Sequence, residues 1–107
     1  MKLPQTIASL VHAQNSYDST AYANCFSETA VVLDEGKTYN GRTEIERWIA
    51  DANEKYNTVM QPVSFEENGT TCILKAEISG TFDGSPVVLT YHFEIAGEHI
   101  QSLKITG

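Results

Sequence analysis

The sequence is short of basic residues and of long apolar runs, and each shortage excludes a class of protein. Seven lysines and arginines stand against 14 aspartates and glutamates in 107 residues, a formal net charge of −7. An acidic surface repels phosphate backbones and anionic lipid headgroups, so we expect neither a nucleic acid nor a membrane as a partner. No apolar run approaches the length of a membrane span, and no signal-type apolar block follows the first residues. A cytoplasmic location is therefore expected.

Motifs that carry chemistry are also scarce. There is no glycine-rich phosphate loop and no Ser-His-Asp or Cys-His grouping with supporting context. The two cysteines, Cys25 and Cys72, lie far apart among apolar neighbours, which is typical of small buried hydrophobes in a reducing compartment. The three histidines, at positions 12, 92 and 99, have no metal-ligand spacing. The sequence predicts no metal site and no cofactor.

The length and the 41% apolar content fit a single domain over residues 1–107. Helical spacing of apolar residues predicts a first helix over residues 4–15. Asp18 is expected to cap a second, shorter helix that carries Phe26 inward. Residues 30–34 are rich in valine and should form a short strand, with residues 38–39 pairing back onto it.

The third helix has the clearest pattern. Thr43 and Glu46 have the spacing of a capping box, in which each side chain bonds the backbone amide of the other residue. Apolar residues then recur at helical spacing as one stripe: Ile45, Trp48, Ile49, Ala52 and Tyr56.

From residue 58 onward the apolar period changes to two, which predicts strands. Turn signals separate them at Asn68-Gly69, Asp83-Gly84 and Ala96-Gly97. Long strands with one apolar face must cover that face, and only the three helices can do so. The sequence therefore predicts an α+β fold, a curved antiparallel sheet packed on three helices, whose concave side is the default ligand site.

Several short motifs occur in an order that resembles the nuclear transport factor 2-like superfamily, which includes SnoaL-like polyketide cyclases and ketosteroid isomerases. The motifs are Asn15-Ser16-Tyr17-Asp18, Ala30-Val31-Val32-Leu33-Asp34, Asn40-Gly41-Arg42, Tyr91-His92-Phe93-Glu94-Ile95 and Ile100-Gln101-Ser102-Leu103. The resemblance covers essentially the whole chain and implies one SnoaL-like domain with a cone-shaped, cystatin-like fold. It also implies a homodimer formed through the outer face of the sheet, where His92 is expected.

The resemblance to ketosteroid isomerases also implies a site. Asp34 matches the position of the proton-shuttling carboxylate at the end of the first strand. The family's helix-one tyrosine falls on Leu10, and its second oxyanion donor, a protonated aspartic acid, falls on Tyr91. Because this apparatus is incomplete, ordinary steroid isomerisation is not expected. Epoxide hydrolysis is not expected either, since both arginines, Arg42 and Arg47, lie at the third helix.

Each predicted catalytic residue has two interpretations. Asp34 is either a base in an apolar cavity, where burial raises its pKa, or a cap of the following turn in solvent. Tyr91 either donates to a ligand oxygen or is a core tyrosine bonded to the backbone.

The predicted ligand contacts are Trp48, Tyr17, Phe26, Leu10, Leu89 and Phe93. The inward aromatics, Tyr22 and Tyr56 included, are alternatively plain core residues. Two functions stay open. The first is an isomerase, cyclase or lyase acting on a small apolar carbonyl compound, with Asp34 as base and Tyr91 polarising the oxygen. The second is a non-catalytic ligand-binding or dimerisation domain of the same fold.

Overall fold

A computed structural model describes residues 2–107 as three helices and six strands. In chain order these are α1 (Gln5–Asn15), α2 (Ser19–Asn24), β1 (Phe26–Asp34), β2 (Lys37–Asn40), α3 (Gly41–Tyr56), β3 (Val59–Asn68), β4 (Thr71–Ser79), β5 (Val87–Ala96) and β6 (His99–Thr106). This confirms the predicted α+β class. None of the helices in residues 2–107 is both long enough and apolar enough to cross a membrane.

The six strands form one curved sheet in the order β2-β1-β6-β5-β4-β3. Four of the five neighbouring pairs are antiparallel, as predicted, and the β1–β6 pair is parallel. The alternation of apolar residues fixes which side chains share a face, but it carries no information about strand direction. The sequence therefore predicted which side chains share a face of the sheet, but it did not predict that β1 and β6 are parallel.

One face of the sheet is covered by the helices and forms the core. Most inward side chains of β4 and β5 are buried, among them Leu74, Ala76 and Phe93. Ile7 and Leu10 on α1 and Ile45 and Ile49 on α3 belong to the same buried cluster. The opposite face of the sheet carries the polar positions of each strand, as the period-two pattern predicts.

A small group of buried amides ties α1 to α3 and to the start of β3. The Gln14 side-chain amide donates to Asn53 Oδ1 at 2.9 Å and also to the Thr58 hydroxyl. The Thr58 hydroxyl in turn donates to Asn53 Oδ1 at 3.0 Å. Beside it, the Asn15 side chain forms a pair of hydrogen bonds with the backbone N–H and C=O of Met60, at 2.8 and 2.9 Å. We call Gln14, Asn53 and Thr58 the amide latch.

Two predicted boundaries are wrong. Phe26 begins β1 rather than ending α2, although it is buried as expected. The third helix begins at Gly41, before the predicted capping box, because Gly41 takes a positive φ of 81° and turns the chain directly from β2 into the helix. The Glu44 carboxylate accepts the Asn40 N–H at 2.9 Å, and Glu46 instead accepts the Thr20 hydroxyl at 3.4 Å.

Candidate functional site

Asp34 is the last residue of β1 and lies on the inner side of the sheet. Its side chain points to the same side as that of Val32, which is fully buried. Asp34 pairs with Lys37 in the β1–β2 hairpin, and the parallel register that sets Leu33 beside Lys104 brings it next to Ile105. The carboxyl group is half-buried.

The surroundings of Asp34 favour its protonated form. Burial raises the pKa of the Asp34 carboxyl, and the neighbouring Glu35 charge raises it further. Hydrogen bonding from the Trp48 side chain opposes these effects but does not cancel them. A carboxylate with a raised pKa is a stronger base at neutral pH than an exposed aspartate.

Tyr91 lies two strands away in the same row of the sheet. It pairs with Ile105, the residue beside Asp34, so the two Cα atoms are separated by roughly 10 Å, about twice the strand spacing. The Tyr91 side chain is only 7% exposed. Burial, followed by the charge of Asp34, raises the pKa of the Tyr91 phenol, which therefore stays protonated at physiological pH. Tyr91 is thus a neutral hydrogen-bond donor within electrostatic range of Asp34.

Two further tyrosines, not predicted as catalytic, complete the surroundings of the carboxylate. Tyr22 on α2 is 1% exposed, with its ring centroid 6.2 Å from that of Trp48. Burial raises its pKa, and the negative charges that Tyr91, Cys25 and Asp34 carry when ionised add to the effect. Tyr39 on β2 stacks on Trp48 at 5.4 Å. We call Asp34, Tyr22, Trp48 and Tyr91 the Asp34 site, with Tyr39 at its edge.

The Tyr22 and Tyr91 hydroxyls have no protein partner within residues 2–107. No sealed side-chain nitrogen or oxygen of these residues lacks a hydrogen bond. A hydroxyl without a partner must therefore reach a space that water can enter. Both phenols lie within range of the Asp34 charge, which adds to the effect of burial on their pKa values.

The predicted ligand contacts divide into two groups. Trp48 and Leu89 are partly exposed, and Leu89 is the next inward residue from Tyr91 along β5. Leu10, Phe26 and Phe93 are each 0% exposed and belong to the buried core, and their contact with a ligand stays a prediction. Tyr17 is 47% exposed in the turn between α1 and α2, outside the Asp34 site.

Open clefts occur elsewhere on the molecule. Two clefts of about 380 and 440 Å³ lie against α1 and α2, and both are lined by Gln5, Ser9 and Ala21. Neither includes a residue of the Asp34 site. Within residues 2–107 no group of three or more histidines, cysteines, aspartates and glutamates is arranged to hold a metal ion. What the Asp34 site offers is one acid–base group, Asp34, and the hydrogen-bonding side chains of Tyr22, Trp48 and Tyr91.

Solved structures share this architecture over nearly the whole chain. A Sinorhizobium meliloti protein described as a candidate polyketide cyclase is 35% identical, with a TM-score of 0.94 and coverage of 97% of this chain and 95% of that one. A Catenulispora acidiphila protein with a ketosteroid isomerase-like fold, solved with trimethylamine, is 19% identical, with a TM-score of 0.89 and coverage of 99% and 87%.

A protein of unknown function from Cytophaga hutchinsonii, described as nuclear transport factor 2-like, is 15% identical, with a TM-score of 0.81 and coverage of 99% and 93%. No model of a protein family matches the sequence, and a search of curated proteins found no match. The likeness to the Sinorhizobium protein in sequence, length and fold establishes the relationship. The chain belongs to the nuclear transport factor 2-like superfamily.

Proposed function

We propose that this protein is a small enzyme that moves a proton on an apolar carbonyl compound, as an isomerase, cyclase or lyase. The observation that carries the proposal is the half-buried Asp34 carboxylate on the inner side of the sheet, whose pKa is raised by its surroundings and which shares a row of the sheet with the buried Tyr91 phenol. The similarity to a protein described as a candidate polyketide cyclase supports the same class of chemistry.

The reaction begins with proton removal by Asp34. The carboxylate takes a proton from the carbon next to the substrate carbonyl, the C–H electron pair forms a C=C bond, and the carbonyl π pair moves onto oxygen. Tyr91 donates a hydrogen bond to that oxygen as its charge develops. Protonated Asp34 then returns the proton to a second carbon or to a leaving group, or the enolate carbon attacks another carbonyl and closes a ring.

The lining limits the substrate to a small and largely apolar molecule. Trp48, Leu89 and Ile105 supply partly exposed apolar surface around the carboxylate. Among residues 2–107, no basic group lowers the pKa of Asp34. A flat conjugated carbonyl compound without an anionic group fits these properties.

The proposal predicts base catalysis on a general probe, 5-nitrobenzisoxazole, whose ring opens to a coloured phenolate when a base removes its single reactive proton. Wild-type protein should accelerate the reaction, and Asp34→Asn should reduce kcat/KM by about 10²- to 10⁴-fold, the range of general-base catalysis. In wild type kcat/KM should rise with pH through the raised pKa of Asp34, because only the carboxylate form accepts the proton.

A matched control is Asp51→Asn, which changes an exposed acid on α3 and should leave the rate unchanged. Circular dichroism of each variant checks that the fold is intact. Equal rates for wild type and Asp34→Asn would sink the proposal that Asp34 is a base.

A second candidate is a non-catalytic binding domain of the same fold. The sealing of Leu10, Phe26 and Phe93 favours it, because these residues leave little free volume behind the Asp34 site. The benzisoxazole reaction separates the two candidates, since a binding domain would bind the probe without an Asp34-dependent rate.

We place the activity in the cytoplasm as part of the same proposal. Cys25 and Cys72 are both free and buried, in agreement with a reducing compartment.

A further inference from the structure

We propose that Asn68 is a site of spontaneous covalent modification, at which the side-chain amide is lost as ammonia and an aspartate or isoaspartate residue forms. Asn68 is the last residue of β3, and Gly69 begins the short turn into β4. The reaction consumes only water and uses no atom of the Asp34 site, so it is independent of the proposed function.

The two halves of this turn differ in how they are held. On the β4 side, the Thr70 C=O accepts the Ile95 N–H at 2.9 Å, and the Thr70 hydroxyl donates to Glu94 Oε2 at 3.3 Å. On the β3 side, Asn68 and Gly69 are exposed, and neither the Asn68 amide nor the Gly69 N–H has a hydrogen-bond partner within residues 2–107. The β3 side of the turn is therefore free to change its local conformation.

These two free groups are the ones that react when asparagine, a chemically labile residue, loses ammonia. The Gly69 nitrogen gives up its proton and attacks Asn68 Cγ; a new N–Cγ bond closes a succinimide ring, and the Cγ–Nδ2 bond breaks. The departing nitrogen takes up the proton and leaves as ammonia. Water then opens the ring. Cleavage of the new N–Cγ bond gives aspartate, whereas cleavage of the original peptide bond gives isoaspartate, in which the chain runs through Cγ.

Gly69 and its position favour ring closure. Glycine has no side chain to shield its nitrogen, and a Cβ built on Gly69 would meet nothing within 4 Å, so water can reach both ring carbonyls. Ring closure also requires that Asn68 rotate out of its strand conformation. At the tip of a hairpin this disturbs only the last pair of the ladder, Asn68 with Thr71, and such ends open at a low free-energy cost.

The chain contains a second asparagine–glycine pair, Asn40-Gly41, which the fold protects. Asn40 is exposed too, but it pairs with Val31, and its N–H donates to the Glu44 carboxylate at 2.9 Å. Gly41 is the first residue of α3. Rotation of Asn40 would therefore break a strand pair and also the start of a helix that packs on the core. The fold, and not the dipeptide alone, selects Asn68 for modification.

The modification changes the charge and the backbone of the hairpin tip. It replaces a neutral amide by a carboxylate, which adds one negative charge to a chain that already carries a net charge of −7. The new carboxylate would lie opposite Thr71, which pairs on its other side with Glu94. Like charges on one face of a sheet repel each other, and isoaspartate also lengthens the backbone by one atom. We expect the modified hairpin tip to pair less tightly.

The experiment incubates the purified full-length protein in oxygen-18 water at neutral and at mildly alkaline pH. Digestion then takes place in ordinary water, so only peptides modified in the folded protein carry the heavy oxygen. Mass spectrometry should show labelled aspartate and isoaspartate at Asn68, formed faster at the higher pH because the Gly69 nitrogen must lose its proton. The Asn40 peptide should convert at least about tenfold more slowly, because more structure must open there.

The same incubation in guanidinium chloride is the control for the fold, because in the unfolded chain both pairs should convert at similar rates. Asn68→Gln is the matched variant: it keeps a side-chain amide but needs a larger ring, so labelling at this position should be lost while the fold, checked by circular dichroism, is retained. Equal conversion of Asn40 and Asn68 in the folded protein would overturn the inference. So would an Asn68 that keeps its amide for as long as the unfolded chain takes to convert.

Discussion

At the scale of single residues, Asp34 lies where its proposed function as a base and the stability of the fold oppose each other. Its pKa is raised in the folded protein, mainly by burial and then by Glu35, so the folded state binds its proton more tightly than the unfolded chain. For such an acid the free energy of unfolding falls as pH rises from the unfolded pKa through the folded pKa. Above that window the ionised Asp34 weakens the fold.

We therefore predict that Asp34→Asn increases the free energy of unfolding at neutral pH, by up to about 1 kcal/mol once the partial exposure of the carboxyl is discounted. An asparagine oxygen still accepts the Trp48 N–H, so that interaction is retained. Urea denaturation at pH 7 and at pH 3 is the measurement, and the difference should disappear at pH 3, where Asp34 is protonated in both states. A less stable variant at pH 7 would contradict the assigned burial cost.

The sequence predicted that Asp34 and Tyr91 point to the inner face of the sheet, and it left Tyr22 open as either a pocket aromatic or a core residue. Strand alternation is enough to set Asp34 with Val32 and Tyr91 with Phe93 on the inner face. The contribution of Tyr22 depends on how α2 crosses the sheet, which no periodicity encodes. The complete burial of Leu10, Phe26 and Phe93 was not predictable for a similar reason. A periodic pattern shows that a side chain points inward, but it does not show whether a cavity remains beside it.

At the scale of elements, the amide latch fixes how α1, α3 and β3 meet. Gln14 is 7% exposed and Asn53 6% exposed, yet every polar side-chain atom sealed within residues 2–107 has a partner. Such groups are costly to leave unpaired inside a protein, so the latch disfavours other arrangements of the three elements.

Gln14→Leu should lower the free energy of unfolding by about 2–3 kcal/mol, because it removes the amide donor and leaves Asn53 and Thr58 less satisfied at similar volume. Gln5→Leu, on the same helix, is the control, since Gln5 is exposed and its side chain donates to the hydroxyl of the partly exposed Ser9. Its effect should stay within about 0.5 kcal/mol. Equal effects of the two changes in chemical denaturation would show that the latch contributes nothing.

Helices and strands were predictable here because apolar residues recur at different spacings in the two. The boundaries between them depended on the backbone angles of single residues. The turns at Gly69, Gly84 and Gly97 carry a positive φ, as their sequence signals indicated. Gly41 also carries one, and it moved the start of α3 ahead of the predicted box at Thr43. A threonine-to-glutamate spacing indicates a helix start only if the chain direction at that point allows it.

At the scale of the whole molecule, the outer sheet face is suited to a second copy of the chain, and we propose that the protein is a homodimer through this face. Lys75 and Lys104 alternate there with Glu77 and Glu94, while Val88 is 50% exposed among them. In a twofold pair the same patch meets itself, so basic residues of one copy can face acidic residues of the other.

Val88→Asp should therefore convert the protein to a monomer, because it adds a carboxylate beside Glu77 that would be costly to bury in the contact. Val63→Asp is a matched control, since Val63 is equally exposed, at 53%, but lies at the irregularity of the edge strand β3. Light scattering after size exclusion should give twice the 11.8 kDa chain mass for wild type and Val63→Asp, and the single chain mass for Val88→Asp. A wild type that stays monomeric at high micromolar concentration would refute the dimer and leave the Asp34 site untouched, because every residue of that site lies on the opposite side of the sheet.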